Sequence, residues 1–262
     1  MEENFLTLNI NDGPLVATAI HNGHLIRDEL VPLLKLSEAE RLREEDPFTS
    51  DWVTVGDTRI IVNRSRFEVD LNRARDKAVY RNPEDAWGLD TWHIQLEEDI
   101  VNRSLNLYDK FYATLNKQLK SIESRYGKFV VFDIHSYNHR RNRSNKTQAD
   151  PKDNPEINIG TSNMNETIWR PLVNRFINDL KSHRCEGRQL DVRENIKFKG
   201  GHMARCIHNN FPNSGLALAI EVKKFYMDEW TGRGYQSEID FVGRALVSTI
   251  NGVLQELEKL QT

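Results

Sequence analysis

The sequence predicts an α/β fold in which helices cover both faces of a mixed central β-sheet. Short apolar runs alternate along the chain with longer segments whose apolar residues recur every three or four positions. Continuous apolar runs are typical of strands buried on both faces, and the longer spacing indicates amphipathic helices. No segment of the 262 residues has the Pro-, Gly- or Ser-rich composition of a linker, so we expect a single domain over residues 1–262.

Four short apolar runs are the predicted strands of this sheet. Two of them end beside a histidine, with His21 after the first run and His135 after the third. Loops diverge around a crevice at the ends of strands in an open α/β sheet, so both histidines are expected at a ligand site. The predicted strands are residues 15–20, 59–62, 128–134 and 216–222.

The amphipathic segments are the predicted helices. The longest is expected over residues 91–124, because its apolar residues from Val101 to Ile122 are separated by alternating steps of four and three. The polar segment 140–154 begins beside His135 and is expected to be an exposed loop, of the kind that often serves as a lid or binding element. The other predicted helices are residues 32–45, 166–181 and 237–260.

Composition excludes several classes of function. The formal net charge of −3 gives no basic surface for nucleic acid, and no apolar run approaches the roughly 20 residues of a membrane span. The N-terminus lacks a signal-peptide core, and the two cysteines, Cys185 and Cys206, cannot make a disulfide framework. We therefore expect a cytoplasmic protein with free thiols and no nucleic-acid or membrane partner, whose oligomeric state the sequence does not fix.

Three imidazoles are candidate ligands of one zinc ion. His21 and His24 lie three residues apart and can face one ion if the chain turns between them, and His135 supplies a distant third. A catalytic zinc ion typically keeps three protein ligands and an open position for water. We expect one Zn²⁺ per chain, although imidazole also suits nickel, cobalt and iron. The alternative is that these histidines are ordinary hydrogen-bonded residues. For His24 taken alone, this alternative is competitive with metal binding.

A carboxylate and three further polar side chains complete the candidate site. Glu221 ends an apolar run, where desolvation raises the pKa of a carboxylate and suits it to act as a general base. Asn72 and Arg73 could hold the carboxylate of a substrate, and Arg205, near two glycines, could stabilise an oxyanion. Ordinary surface ion pairs are the alternative for Glu221 and Arg73.

Four separated motifs resemble those of the N-formylglutamate amidohydrolase family, whose fold is similar to that of zinc carboxypeptidases. Ile-His-Asn-Gly-His at 20–24 and Phe-Asp-Ile-His-Ser-Tyr at 132–137 resemble the two zinc motifs. Ser-Arg-Phe-Glu-Val-Asp-Leu-Asn-Arg at 65–73 is similar to the arginine motif, and Ala-Ile-Glu-Val at 219–222 to the segment with the catalytic glutamate. The similarity spans about residues 14–235, in the order of the family, and also includes 158–161 and 200–205.

The resemblance implies a zinc-dependent amidohydrolase of zinc carboxypeptidase-like fold. It would cleave the C–N amide bond of a small N-acyl amino acid such as N-formylglutamate, a carboxylate substrate, by Glu221-assisted attack of water. The alternatives are a carboxypeptidase-like peptide hydrolase and a catalytically inactive ligand-binding relative. Related carboxypeptidases have Glu three residues after the first histidine, where this chain has His24. The second ligand is therefore His24, or else Glu45 or Asp46, and we favour His24.

Overall fold

A mixed sheet of seven strands forms the centre of the protein. The computed structural model describes residues 5–140, 148–185 and 187–260. The order of strands across the sheet is β1-β3-β2-β4-β9-β5-β8, and β6 and β7 form a separate ribbon. The strands are β1 (Leu6–Ile10), β2 (Leu15–Ala19), β3 (Thr58–Val62), β4 (Phe129–Tyr137), β5 (Ile157–Gly160), β6 (Arg184–Cys185), β7 (Arg188–Gln189), β8 (Val192–Glu194) and β9 (Gly215–Lys223).

The middle of the sheet is parallel. β2 pairs in parallel with β3 and β4, and β4 pairs in parallel with β9, whereas β1 and β5 are antiparallel to their neighbours β3 and β9. All four predicted strands are present. β4 extends three residues past its predicted end, so His135 lies inside the strand, directly opposite Glu221 of β9. The carboxyl ends of β2, β4 and β9 therefore bring their side chains to one edge of the sheet.

Two of the predicted helices begin later than expected, for one shared reason. The backbone N–H of Lys35 donates to the carbonyl of Thr91 at 2.9 Å, and that of His93 donates to Leu33 at 2.9 Å. This pairing is an antiparallel bridge between Leu34 and Trp92, preceded in the first segment by a 3-10 turn at Val31–Leu33, and the helices start only after it; the first is capped by Ser37. The helices are α1 (Glu38–Glu44), α2 (Thr49–Trp52), α3 (Glu98–Tyr126), α4 (Glu166–Ser182), α5 (His202–Asn210) and α6 (Gln236–Lys259).

Helices cover both faces of the sheet, which confirms the predicted α/β class. Phe132 and Ile134 of β4 point into a core shared with α2, α4 and α6. Val131 points the other way, into a core shared with α3 and α5. Such alternation, with both sets buried, accounts for the continuous apolar run of β4. Across the described ranges, none of the helices has the length and apolar character needed to cross a membrane.

The polar segment that follows β4 is described only in part, because residues 141–147 of the predicted loop 140–154 lie outside the described residues. The N–H of Ala149 donates to the carbonyl of His139 at 2.7 Å, which joins the two sides of the loop at its base. Most of residues 148–153 are exposed, as predicted. Cys185 and Cys206 are free thiols, also as predicted.

Replacing Leu119 of α3 by Ala tests the core on the α3 side. Leu119 is fully buried, so the change should lower the free energy of unfolding by about 2–5 kcal/mol through lost burial and a residual cavity. Urea denaturation followed by circular dichroism measures the loss. Its exposed neighbour Lys120, changed to Ala, should shift the same quantity by no more than about 0.5 kcal/mol. Equal effects of the two changes would show that α3 does not pack as described.

Candidate active site

A cavity of about 510 Å³ opens at the carboxyl edge of the parallel strands. His21 reaches it just after β2, His135 from within β4 and Glu221 from within β9. Further lining residues come from Glu44 and Asp46 at the end of α1, from parts of 66–87, from 136–138, from 197–201 and from Lys224. The volume lies within the range of roughly 300–1,000 Å³ that is typical of small-molecule sites.

His21, Asp46 and His135 meet at the floor of this cavity. All three are buried, and one potential ligand atom from each lies within 4.8 Å of the others. The Oδ2 atom of Asp46 is 3.0 Å from Nδ1 of His135 and 3.5 Å from Nδ1 of His21. The second carboxylate oxygen of Asp46 accepts a hydrogen bond from the hydroxyl of Ser136 at 2.9 Å, which fixes the plane of the carboxylate.

The spacing of these atoms fits a bound divalent metal ion. Tetrahedral ligands at about 2.0–2.1 Å from zinc lie about 3.3 Å from one another, close to both distances from Asp46. Two imidazoles and one carboxylate form a common ligand set of catalytic zinc, which keeps a further position open for water. His21, Asp46 and His135 are therefore the residues that could hold a metal.

Two more carboxylates orient the histidines from behind. The Nε2 atom of His21 lies 2.8 Å from Oδ1 of Asp70, and Nε2 of His135 lies 2.9 Å from Oδ1 of Asp133. With each carboxylate accepting the Nε2 proton, the Nδ1 atom of each ring faces the shared centre, where it can donate a proton to Asp46 or offer a lone pair to a metal ion. This is the usual support for a metal-binding histidine, because it fixes both the tautomer and the plane of the ring.

The electrostatics of the group favour a cation at its centre. Burial opposes ionisation of Asp46, but hydrogen bonds from His135 and His21 outweigh it and hold the pKa of Asp46 below the ordinary range. For His135, burial is outweighed by Asp133 and Asp46, which raise its pKa above the ordinary value. Buried carboxylates thus surround two imidazoles, and positive charge there is stabilised, whether it is carried by a proton or by a metal ion.

Asp46, and not the favoured His24, joins the two other histidines. Beyond Gly23 the chain runs beside Asn63, whose carbonyl accepts from the N–H of Leu25 at 3.0 Å, and this course carries the His24 ring away from the cavity. The Nδ1 atom of His24 instead contacts the carboxylate of Glu45, and about a third of its side chain is exposed. Glu45 is thereby also occupied outside the cavity. Of the two alternatives to His24, the structure brings only Asp46 into the group.

Glu221 lies beside the group, in the position expected of a base. It is half-buried at the cavity wall and is paired with His135 in the register of β4 and β9. Burial raises the pKa of Glu221 to about 7; Asp46 and Asp133 add to the rise, and His135 opposes it. A carboxylate of that pKa can both accept and release a proton near neutral pH.

Asn72 and Arg73 also line the cavity. The amide oxygen of Asn72 accepts from the N–H of Met203 at 3.1 Å, and its amide nitrogen lies 3.3 Å from Nε2 of His135. The guanidinium of Arg73 lies 5.1 Å from the ring centre of Tyr80, and the Arg73 side chain is 30% exposed. The Nε atom of Arg73 is 3.4 Å from Oδ2 of Asp70, so the alternative ion pair exists, yet Arg73 still lines the cavity, where a guanidinium can bind a carboxylate.

Arg205 does not reach the site. It lies on the exposed side of α5, outside the cavity lining, and its guanidinium donates to the carbonyl of Gly200 at 2.9 Å. The neighbouring glycines do line the cavity, as their sequence suggested. A Cβ atom on Gly201 would lie 2.1 Å from Oδ1 of Asn72, so only glycine allows the Asn72 side chain to hold its position.

Sequence reasoning gave no role to several side chains that the structure places at the site. Asp133 precedes His135 by two residues on the same strand, a spacing that puts both on one face of the sheet. Asp70 lies within the arginine motif, in which the sequence indicated a role only for Asn72 and Arg73. Trp87, left without a role by its sequence context, forms part of the cavity wall with its ring centre 4.7 Å from the guanidinium of Arg66.

Comparison with known proteins identifies similar folds. The N-formylglutamate amidohydrolase from Ralstonia eutropha superposes with a TM-score of 0.76 at 20% identity, covering 98% of this chain and 99% of that one. A gene product from Agrobacterium tumefaciens superposes at 0.66 and 17% identity, covering 97% of each chain. A metallo-carboxypeptidase from Burkholderia cenocepacia gives 0.39 and 13%, covering 97% of this chain and 61% of that one. No curated protein sequence matches the chain.

The first two superpositions show that the fold is shared over nearly the whole chain. The family model described as N-formylglutamate amidohydrolase matches residues 13–227, a range that contains His21, Asp46, His135 and Glu221. The chain belongs to the N-formylglutamate amidohydrolase family.

Proposed function

We propose that this chain is a zinc-dependent amidohydrolase that cleaves the C–N amide bond of a small N-acyl amino acid, with N-formylglutamate as the first substrate to test. The observation that carries the proposal is the meeting of His21, Asp46 and His135 beside Glu221 at the floor of one cavity. Membership of an amidohydrolase family supports the same reaction.

The metal would be held by Nδ1 of His21, Nδ1 of His135 and the carboxylate of Asp46, with Asp70 and Asp133 supporting the rings. When bound, a zinc ion supplies Lewis acidity that lowers the pKa of water from 15.7 to about 7. The buried carboxylates counter its charge.

Glu221 would move the proton during the reaction. As the water oxygen attacks the acyl carbon, the carboxylate of Glu221 accepts the water proton. When the C–N bond breaks, Glu221 passes that proton to the leaving nitrogen, and the products are a carboxylate and a free amino acid. The raised pKa of Glu221 suits both transfers, because neither the protonated nor the ionised form is strongly favoured near neutral pH.

Arg73 would anchor the carboxylate of the substrate, with Asn72 beside it. The guanidinium is restrained by the Tyr80 ring and by Asp70, so little side-chain entropy is lost when a carboxylate binds. The amide of Asn72 also contacts His135. Asn72 would therefore connect the bound carboxylate of the substrate to a residue of the proposed metal site.

A substrate panel tests the proposed reaction. Zinc-loaded protein is incubated with N-formyl-L-glutamate, N-acetyl-L-glutamate and short unblocked peptides, and release of free amino groups is measured. Preferred cleavage of the N-acyl amino acids supports the proposal. Preferred cleavage of peptides would instead indicate a carboxypeptidase-like hydrolase, and binding without product from any substrate would indicate an inactive ligand-binding relative.

Changing Glu221 to Gln should remove turnover and leave the metal bound. The amide is nearly isosteric with the carboxylate but cannot accept the proton, so kcat should fall at least about a hundredfold. Steady-state kinetics and metal content of the same preparation give the two readouts. A variant with full metal content and near-normal kcat would contradict the role of Glu221 as the base.

Changing Arg73 to Ala should lower kcat/KM by about ten- to a hundredfold, because a charge-assisted hydrogen bond contributes about 1.5–3 kcal/mol. The matched control is Arg205→Ala, which removes an arginine outside the cavity and should change kcat/KM by less than about twofold. With a substrate whose carboxylate is amidated, most of the difference in kcat/KM between wild type and Arg73→Ala should disappear. If Arg205→Ala lowered kcat/KM as much as Arg73→Ala does, the assignment of Arg73 as the residue that anchors the substrate carboxylate would be contradicted.

A further inference from the structure

Two buried side chains just beyond Glu221 hold the backbone on either side of Asp46. The ammonium of Lys224 donates to the carbonyl oxygens of Arg43 and Glu45, both at 2.6 Å. The hydroxyl of Tyr226 donates to the carbonyl of Pro47 at 3.0 Å. Asp46 therefore lies between two carbonyl groups that are fixed by one short segment, the continuation of β9.

The burial of Lys224 is unusual for a lysine. Its side chain is 1% exposed, although burying an ammonium group is costly. Among the described residues no carboxylate forms an ion pair with Lys224, so its hydrogen bonds go to backbone carbonyls. Such a group is retained where it fixes a geometry, because replacing it by an apolar side chain would leave both carbonyls without their donor.

The segment held by these two residues contains a strained backbone. Phe48, two residues after Asp46, has a φ of 70°, in the left-handed region that non-glycine residues seldom adopt. Such a conformation persists only when the surrounding structure fixes it. The ring of Tyr226 packs edge-on against Trp52 at 4.9 Å and against Phe48 at 6.2 Å, so Tyr226 restrains this turn by packing as well as by its hydrogen bond.

We infer that Lys224 and Tyr226 are positioning residues that hold the Asp46 carboxylate in place between the two histidines. Both lie on the segment that continues from Glu221, so they also fix the distance between the general base and Asp46. The inference rests on the proposed function, because it assumes that Asp46 is a metal ligand. Lys224 lies at the cavity wall, but its ammonium is engaged by the carbonyls of Arg43 and Glu45, so its inferred role acts through Asp46.

Two variants test the inference, and a third is the matched control. Lys224→Met removes the ammonium and keeps much of the volume of the chain, and Tyr226→Phe removes only a hydroxyl. The control is Lys223→Met, which removes an adjacent lysine whose ammonium donates to the carbonyl of Asn154 at 3.1 Å, away from Asp46. All three are compared as full-length protein.

The measurements separate a positioning role from general loss of stability. The zinc dissociation constant is determined by competition with a chelator, and the visible spectrum of the Co²⁺-loaded protein reports the ligand geometry. The melting temperature of metal-free protein reports folding alone. Steady-state kinetics of the zinc-loaded protein give kcat and KM.

Lys224→Met should weaken zinc binding about ten- to a hundredfold, the range for loss of a residue that supports a metal ligand. Tyr226→Phe should weaken it about two- to tenfold, as for one neutral hydrogen bond. Both should alter the Co²⁺ spectrum and lower kcat more than they change KM, and Lys223→Met should leave all of these as in wild type. If Lys224→Met does not fold, Tyr226→Phe carries the test.

Zinc affinity and Co²⁺ spectra of folded Lys224→Met and Tyr226→Phe that match those of wild type would overturn the inference. A lower melting temperature with unchanged zinc affinity would overturn it as well, because it would mark a purely structural role. Wild-type protein that binds no zinc at all would contradict the proposed function itself, which distinguishes the two failures.

Discussion

The Asp46 carboxylate, set between the imidazoles of His21 and His135, is the interaction on which the site depends. Its distances of 3.5 and 3.0 Å to the two rings join the turn after α1 to the ends of β2 and β4. Without Asp46 the site would keep only two of its three potential metal ligands, the imidazoles of His21 and His135. Its own position is fixed by Ser136, by its N–H bond to the carbonyl of His21 at 2.9 Å, and by the segment that follows Glu221.

Parallel pairing of β4 with β9 supplies the second constraint. It sets His135 opposite Glu221, so one of the three candidate metal ligands and the proposed base share a single strand register. Glu221 shares the buried surroundings in which Asp46, Asp70 and Asp133 lie around the imidazoles, and this burial raises the pKa of Glu221. The proposed metal centre and the proposed proton acceptor thus share one arrangement of charges at one edge of the sheet.

Much of this could be predicted from the sequence, because the four core strands are continuous apolar runs and the helices have clear periodicity. The placement of His21, His135 and Glu221 at one edge follows from those strands. Asp46 is among the candidate second ligands, but the choice of Asp46 over His24 could not be made from the sequence, because it depends on how the turn after Gly23 directs His24 toward Glu45 and on where the α1 turn meets the sheet. The exposed side of α5, which keeps Arg205 from the cavity, is likewise set by long-range packing. The spacing of residues along the chain shows neither the contact of His24 with Glu45 nor the outward position of Arg205 on α5.

Metal content of two single variants tests the central claim most directly. Wild type, Asp46→Ala and His24→Ala are purified after zinc loading and desalting, and the zinc-to-protein ratio is measured by inductively coupled plasma mass spectrometry. The account predicts about one zinc per chain in wild type and in His24→Ala, and a large loss in Asp46→Ala. Full zinc content in Asp46→Ala together with loss in His24→Ala would contradict it and restore His24 as the ligand.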